Sequence, residues 1–187
     1  DSTRRHVARR NSLALTLSRT ALVALVTLCS GNALAQFTNK TIGFQAGYVG
    51  LNKSLMVAGG PVLGIESTLY LGNSFDLAFR VVAGIHKDQI TEKNGVGVFP
   101  AIGFRYLFSE EDLRPYLGLN IAYLRFFGAD SMANPNLVAL APVAGLEYYF
   151  QSNTALGLQG EYQGIIDIPN GKLTHAFAAV ARILWGF

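Results

Sequence analysis

From Phe177 to Phe187 every second residue is apolar (Phe177, Ala179, Ala181, Ile183, Trp185, Phe187), with Ala178, Val180, Arg182, Leu184 and Gly186 falling between them. A repeat of two marks a strand whose faces meet different surroundings, because successive side chains point to opposite sides of the backbone. The interleaved set is mostly small and carries one charge, so it suits a narrow, crowded polar interior better than bulk water. Similar alternation recurs along the chain and predicts strands over residues 41–51, 62–71, 75–85, 96–108, 114–126, 137–150 and 154–164, with an eighth ending at Phe187.

The links between these segments alternate in length. Residues 72–74, 109–113 and 151–153 are short, whereas 52–61, 86–95, 127–136 and 165–172 are longer. An even strand count with short turns at one end and longer loops at the other is the pattern of a transmembrane barrel. The expected fold class is therefore all-β, an eight-stranded antiparallel up-and-down transmembrane β-barrel. Pro100 falls inside the fourth segment, where it cannot donate to the ladder, and a bulge or local irregularity is expected there.

Period two alone does not say which face points outward, since a soluble lipocalin-like barrel keeps its apolar face inside. A water-facing exterior should be rich in Lys and Glu, yet the polar positions here are mainly Gly, Ala, Thr, Gln and Asn. The apolar face is therefore assigned to lipid. Glu66, Arg80, Arg105, Glu147, Glu161 and Arg182 all share the parity of the inward glycines. Buried charges persist when they are paired, so these six are expected to form a structural ionic network across the lumen. Phe75, Tyr106, Phe108, Tyr148, Phe150, Trp185 and Phe187 lie near the short turns and Tyr48, Tyr123 and Tyr162 near the long links, as two interfacial girdles would. Arg125 lies beyond Tyr123 on the lipid parity, suited either to snorkelling or to a solvated strand end.

At the N-terminus Arg4, Arg5, Arg9, Arg10 and Arg19 precede the apolar run 21–28, and Ala33-Leu34-Ala35 stands before Gln36. That order predicts a secretory signal peptide over residues 1–35 and a barrel domain over 36–187. After residue 35 no apolar run approaches the ~20 residues of a membrane helix. Five of the fifteen Lys and Arg and one of the twelve acids lie in the first 35 residues, which leaves ten bases against eleven acids. The near-neutral remainder removes the basis for nucleic-acid binding. The single cysteine, Cys29, lies in the signal region, so neither a disulfide nor thiol chemistry is expected of the barrel.

The run Arg114-Pro115-Tyr116-Leu117-Gly118-Leu119-Asn120-Ile121-Ala122-Tyr123, an Arg-Pro-Tyr turn opening a glycine-alternating strand, resembles the OmpA-type group of small eight-stranded outer-membrane barrels. The alternating strand closed by Trp185 and Phe187 resembles the C-terminal signal by which such barrels are recognised and inserted. The resemblance implies a bacterial outer-membrane location, contact with outer-membrane lipid and lipopolysaccharide, and recognition by the barrel-assembly machinery through Phe187 and Trp185. It does not imply one activity, because the group includes structural and adhesive proteins, narrow channels and a few lipid-modifying enzymes.

The expected role is structural or surface-interacting, with a lumen plugged by side chains. A narrow channel for small or hydrophobic molecules is the alternative, and a lipid-modifying enzyme a third reading. His86 and Asp88 stand in the second long link, but the flanking Lys87 and Glu92 read as an ordinary solvated loop. His175 lies on the lipid parity, as an interface residue. No catalytic, cofactor-binding or metal-ligating set emerges from the sequence.

Overall fold

The computed structural model describes residues 40–132, 135–168 and 170–187; the signal-peptide reading of residues 1–35 falls outside them. Strand β1 spans Lys40–Leu51, followed by a single 3-10 turn, Lys53–Leu55, and a two-residue strand β2, Val57–Ala58. The remaining strands are β3 (Gly60–Gly72), β4 (Phe75–Asp88), β5 (Asn94–Leu107), β6 (Leu113–Phe127), β7 (Asn136–Gln151), β8 (Thr154–Asp167) and β9 (Lys172–Gly186). The eight long strands pair antiparallel with their neighbours, and β1 pairs with β9 to close the wall. Closure leaves no edge strand to satisfy in lipid.

The register sets the dimensions. Crossing from partner to partner, Thr41 leads through Thr68, Ala78, Gly103, Asn120, Ala141, Gln163 and Ala176 back to β1 at Leu51, ten residues further along. The step from Ala141 to Gln163 keeps the register of Leu140↔Gly164 and Val143↔Glu161. With ~3.4 Å per residue and ~4.8 Å between strands, that stagger implies a tilt of about 40° and a wall radius of about 8 Å. Such a tube is just wide enough for its own side chains.

Turn chemistry fixes the short ends. Asn73 (φ 52°) and Ser74 (φ 64°) take the two left-handed positions of a tight hairpin turn between β3 and β4. Register shifts occur beside two of these turns, between Tyr70 and Gly72 and between Tyr149 and Gln151. At Pro100 the structure shows a local irregularity of the ladder and not a bulge. Pro100 pairs with Val81 on β4, and the β5–β6 ladder lacks its rungs at Phe99 and Pro100 but resumes at Ala101↔Ala122 in unchanged register. A missing N–H costs a rung here without adding a residue to the strand. Pro142 interrupts β7–β8 in the same way.

Outward residues are apolar and exposed, among them Leu63, Leu158, Phe44, Phe177, Ile85 and Ile121. Inward residues are buried, but they do not form the uniformly polar interior expected from the last strand. The half of the lumen towards the long links is apolar, where Val49, Val62, Val82, Phe99, Leu124, Phe126, Leu137 and Ile165 form one cluster. The polar layer sits beneath it, towards the short turns. Two expected links are also shorter than their composition indicates. β4 continues to Asp88 and β5 begins at Asn94, while β8 and β9 leave only residues 168–171 between them. Polar residues in these stretches are strand ends that project beyond the apolar belt.

Candidate functional site: the lumen and its outer mouth

Two ionic groups occupy the polar layer. In the first, Arg105 donates from Nη1 to Glu66 (3.3 Å) and Glu147 (3.2 Å) and from Nη2 to Asp76 (2.7 Å). Arg182 donates from Nη1 to Glu66 (2.6 Å) and from Nη2 to Glu147 (3.0 Å) and to the Tyr116 hydroxyl (2.5 Å). Both guanidiniums lie over the Tyr116 ring, Arg105 at 4.8 Å and Arg182 at 5.1 Å from its centroid. In the second, Arg80 pairs with Glu161, whose carboxylate also accepts from Asn120 (3.1 Å) and Gln163 (2.6 Å). Gln159 joins the two by accepting from Tyr116 (2.8 Å) and donating to Glu161 (3.4 Å).

Thus Glu66, Arg105, Glu147 and Arg182 meet directly, whereas Arg80 and Glu161 form a separate pair. The sequence reading of six charges omitted Asp76, Tyr116, Asn120, Gln159 and Gln163. Their inward parity was the available signal: Asp76 has the parity of Arg80, and Tyr116 belongs to the Arg-Pro-Tyr run. The first group places three carboxylates against two guanidiniums in nearly complete burial, so it depends on every hydrogen bond around it.

Glycines make room for these side chains. A Cβ on Gly145 would stand 2.2 Å from the Tyr116 hydroxyl, and one on Gly103 would stand 1.8 Å from Asn120 Oδ1. Tyr116 cannot retreat while Arg182 and Gln159 hold it.

The outer mouth is covered by residues 52–59. Leu55 and Val57 turn inward and join the apolar cluster. On one side Val57 and Ala58 pair with Asp88 and Lys87 of β4. On the other, the backbone N–H of Asn52 donates to the His175 carbonyl (3.3 Å), and the hydroxyls of Ser54 and Thr174 share a 2.7 Å hydrogen bond.

His86 and Asp88 are buried, which corrects their reading as a solvated loop. Both carry the inward parity of β4. His86 packs edge-on against Phe99 and Phe126 and reaches the Ala58 carbonyl through Nδ1 (3.3 Å). Asp88, at the outer end of β4, accepts from the N–H groups of Ile90, Thr91 and Ser131 and from the Ser131 hydroxyl. The Thr91 N–H and the Ser131 hydroxyl, helped by the other two donors, hold its carboxyl well below the usual carboxylate range. Asp88 therefore ties the β4–β5 link to the β6–β7 link. At the other end of the barrel, hydrogen bonds from Tyr70 and then Ser74 likewise lower the carboxyl of Glu110.

On the outer wall Trp185 meets Phe44 edge-on at 6.0 Å, and Phe187 donates its N–H to the Lys40 carbonyl (3.0 Å). Phe75 stacks on Phe104 and leans on Tyr106 near the short turns; Tyr162 and Phe177 are in ring contact near the long links. Trp185 and Phe177 are eight residues apart on β9, about 20 Å along a barrel axis at this tilt. That separation is close to the ~25 Å apolar band of membrane barrels. Arg125 donates to Asn136 and lies over Phe127, so its charge is held at the rim. A recess of about 680 Å³ opens on this outer surface among Phe44, Leu63, Ile65, Val81, Leu156 and Ile183. Among the described residues no His, Cys, Asp and Glu group is arranged to hold a metal ion.

No protein-family model and no curated protein matches the chain. Its structure is similar to that of Neisserial surface protein A (NspA), at 18% identity and TM-score 0.65, covering 80% of this chain and 97% of that one. The chain has the fold of the small eight-stranded outer-membrane β-barrels. The N-terminal β-barrel domain of OprF from Pseudomonas aeruginosa is also similar, at 18% identity and TM-score 0.60, covering 81% of this barrel chain and 100% of that one. The outer membrane protein OprG from the same organism gives 13% identity and TM-score 0.53, covering 80% and 95%. This barrel shares with them an architecture that serves more than one kind of function.

Proposed function

We propose that the chain is a bacterial outer-membrane barrel with a structural or surface-interaction role, and that its lumen is a plug rather than a pathway. The observation that carries the reading is the filling of the tube: the two ionic groups cross its lower half, and the apolar cluster with Leu55 and Val57 closes its upper half. In this reading Glu66, Arg80, Arg105, Glu147, Glu161 and Arg182 have a structural role. The exposed apolar wall faces outer-membrane lipid and lipopolysaccharide. Trp185 and Phe187 mark the strand presented to the barrel-assembly machinery, and residues 1–35 are a cleaved export signal.

The reading includes no enzymatic step. The His86 ring is engaged with the Ala58 carbonyl, and the Asp88 carboxylate is occupied by loop donors, so neither is poised to activate a nucleophile.

Planar-bilayer recording of the purified protein tests the plug. It should show no steady conductance, and reproducible unitary openings at neutral pH would favour the narrow-channel alternative. Turnover of outer-membrane lipids by the same preparation, abolished in His86→Gln, would favour an enzyme.

A further inference from the structure

We propose that residues 52–59 form a strap across the outer mouth that two uncharged histidines hold shut and that protonation of those histidines releases. The segment bridges four consecutive strands of the wall. It leaves β1, is fastened to β9 through Asn52 and Ser54, and is fastened to β4 through Val57 and Ala58. A histidine ring stands at each fastening.

At β9 the direction of the hydrogen bond is determined. Asn52 Oδ1 accepts from the Ser54 N–H (2.9 Å) and caps the 3-10 turn, so Nδ2 is the atom that faces His175 Nε2 at 3.1 Å. An amide NH2 donates, hence Nε2 must accept, and only an uncharged ring offers an acceptor nitrogen. Protonation sets N–H against N–H; turning the amide over would surrender the cap. At β4 the Ala58 carbonyl accepts, so His86 Nδ1 donates and Nε2 carries the lone pair. Nε2 is buried without a hydrogen-bond partner, beside Phe99 and Phe126. A second proton there would put a charged, unpartnered donor into an apolar pocket. At His175 the hydrogen bond itself requires an acceptor nitrogen, whereas at His86 the Nδ1–H bond would survive a second proton and it is the apolar pocket around Nε2 that disfavours the charge.

The charged neighbours do not compensate. Around His86, β5, β6 and the strap contribute Phe99, Phe126 and Ala58, and the nearest charge on β4 is Asp88, engaged by donors from residues 90, 91 and 131. Lys87 points to the opposite side and pairs with Glu92. Around His175 the strap contributes Asn52, β8 contributes the Tyr162 ring and β9 itself the Phe177 ring; the charged residues of these strand ends, Asp167 and Lys172, stand opposite one another in the β8–β9 register. Inside the strap Met56 is held in the left-handed region (φ 58°), a conformation that side-chain-bearing residues rarely adopt, so release also relieves strain. Opening withdraws Leu55 and Val57 and uncovers the apolar half of the lumen.

Hydrogen exchange on the full-length protein in lipid vesicles, corrected for the intrinsic pH dependence of exchange, tests the strap. Between pH 8 and pH 5, the range in which histidine side chains change charge, the amides of Leu55, Met56 and Gln89 should lose at least tenfold protection while wall amides of β7 and β8 do not. In His86→Gln/His175→Gln both side chains keep a donor or acceptor for the strap but cannot be protonated, and protection should be equal at the two pH values. Should that double variant be unprotected throughout, His175→Gln alone must reduce the pH-dependent loss. Equal protection of the wild type at both pH values would overturn the proposal. So would a pH-dependent loss that persists undiminished in these variants.

Discussion

Replacing Arg182 with methionine tests how far the lower lumen depends on its ionic group. Arg182→Met removes the bonds to Glu66, Glu147 and Tyr116. Glu66 and Glu147 then share Nη1 of Arg105, at 3.3 and 3.2 Å, and three carboxylates face one guanidinium. Methionine fills much of the vacated length, so the main cost is uncompensated buried charge, about 3–5 kcal/mol for removing one partner of a buried pair. Adding Glu66→Gln removes one excess charge and should restore about 0.5–3 kcal/mol, the range of coupling between contacting residues. Lys87→Met, which breaks an exposed pair at 3.5 Å, should cost less than about 0.5 kcal/mol. Urea unfolding in lipid vesicles, followed by fluorescence of the single tryptophan, Trp185, and by heat-modifiable gel mobility, measures all three. If Arg182→Met cost no more than Lys87→Met, the group would not be a structural element of the lumen.

Gly145→Ala places a Cβ 2.2 Å from the Tyr116 hydroxyl and 2.3 Å from its Cζ and should destabilise the barrel by about 1–3 kcal/mol through overpacking; because the Cζ stays in place, Tyr116→Phe in the same chain should not recover the loss in the urea assay. Leu158 is exposed on the wall between the two aromatic girdles, so Leu158→Arg should cost about 2–4 kcal/mol in bilayers, as a cation does near the membrane midplane. Asp88 gives a pH test of opposite sense to the strap. Its folded-state pKa is depressed, so its contribution is complete above the ordinary aspartate value of about 4 and is lost as pH falls through the lower folded value. Hydrogen exchange at Ser131 should therefore stay slow, after intrinsic correction, from pH 8 to pH 5, and Asp88→Asn should weaken its protection throughout that range.

The faces of the wall were legible because a strand assigns them by parity alone. Glu66 and Arg182 could be placed in one lumen without knowing which strands lie side by side. Which charges touch depends instead on the ten-residue stagger, which sets Arg105 against Glu66, Asp76 and Glu147 from three other strands. No local pattern carries that information. His86 and Asp88 were misread because polar, charged neighbours resemble a loop when a strand extends past the apolar belt. The apolar upper lumen was hidden for a related reason. Leu124, Phe126 and Leu137 alternate with Tyr123, Arg125 and Val138, so apolar and polar residues exchange faces near the rim and local composition no longer separates lumen from lipid. At Pro100 the missing donor signalled a bulge or local irregularity, and register decides between them: the ladder omits two rungs without adding a residue.

The most direct measurement of the central claim, that the apolar face of the wall meets lipid, is the depth of Trp185. Its side chain lies on the outward face at the short-turn end of β9, against Phe44. In vesicles of lipids brominated at defined acyl positions, Trp185 fluorescence should be quenched, most strongly by bromines near the headgroup and less by those at the bilayer centre. Unquenched fluorescence from a folded protein that remains in the aqueous phase would contradict the assignment and place the apolar face elsewhere.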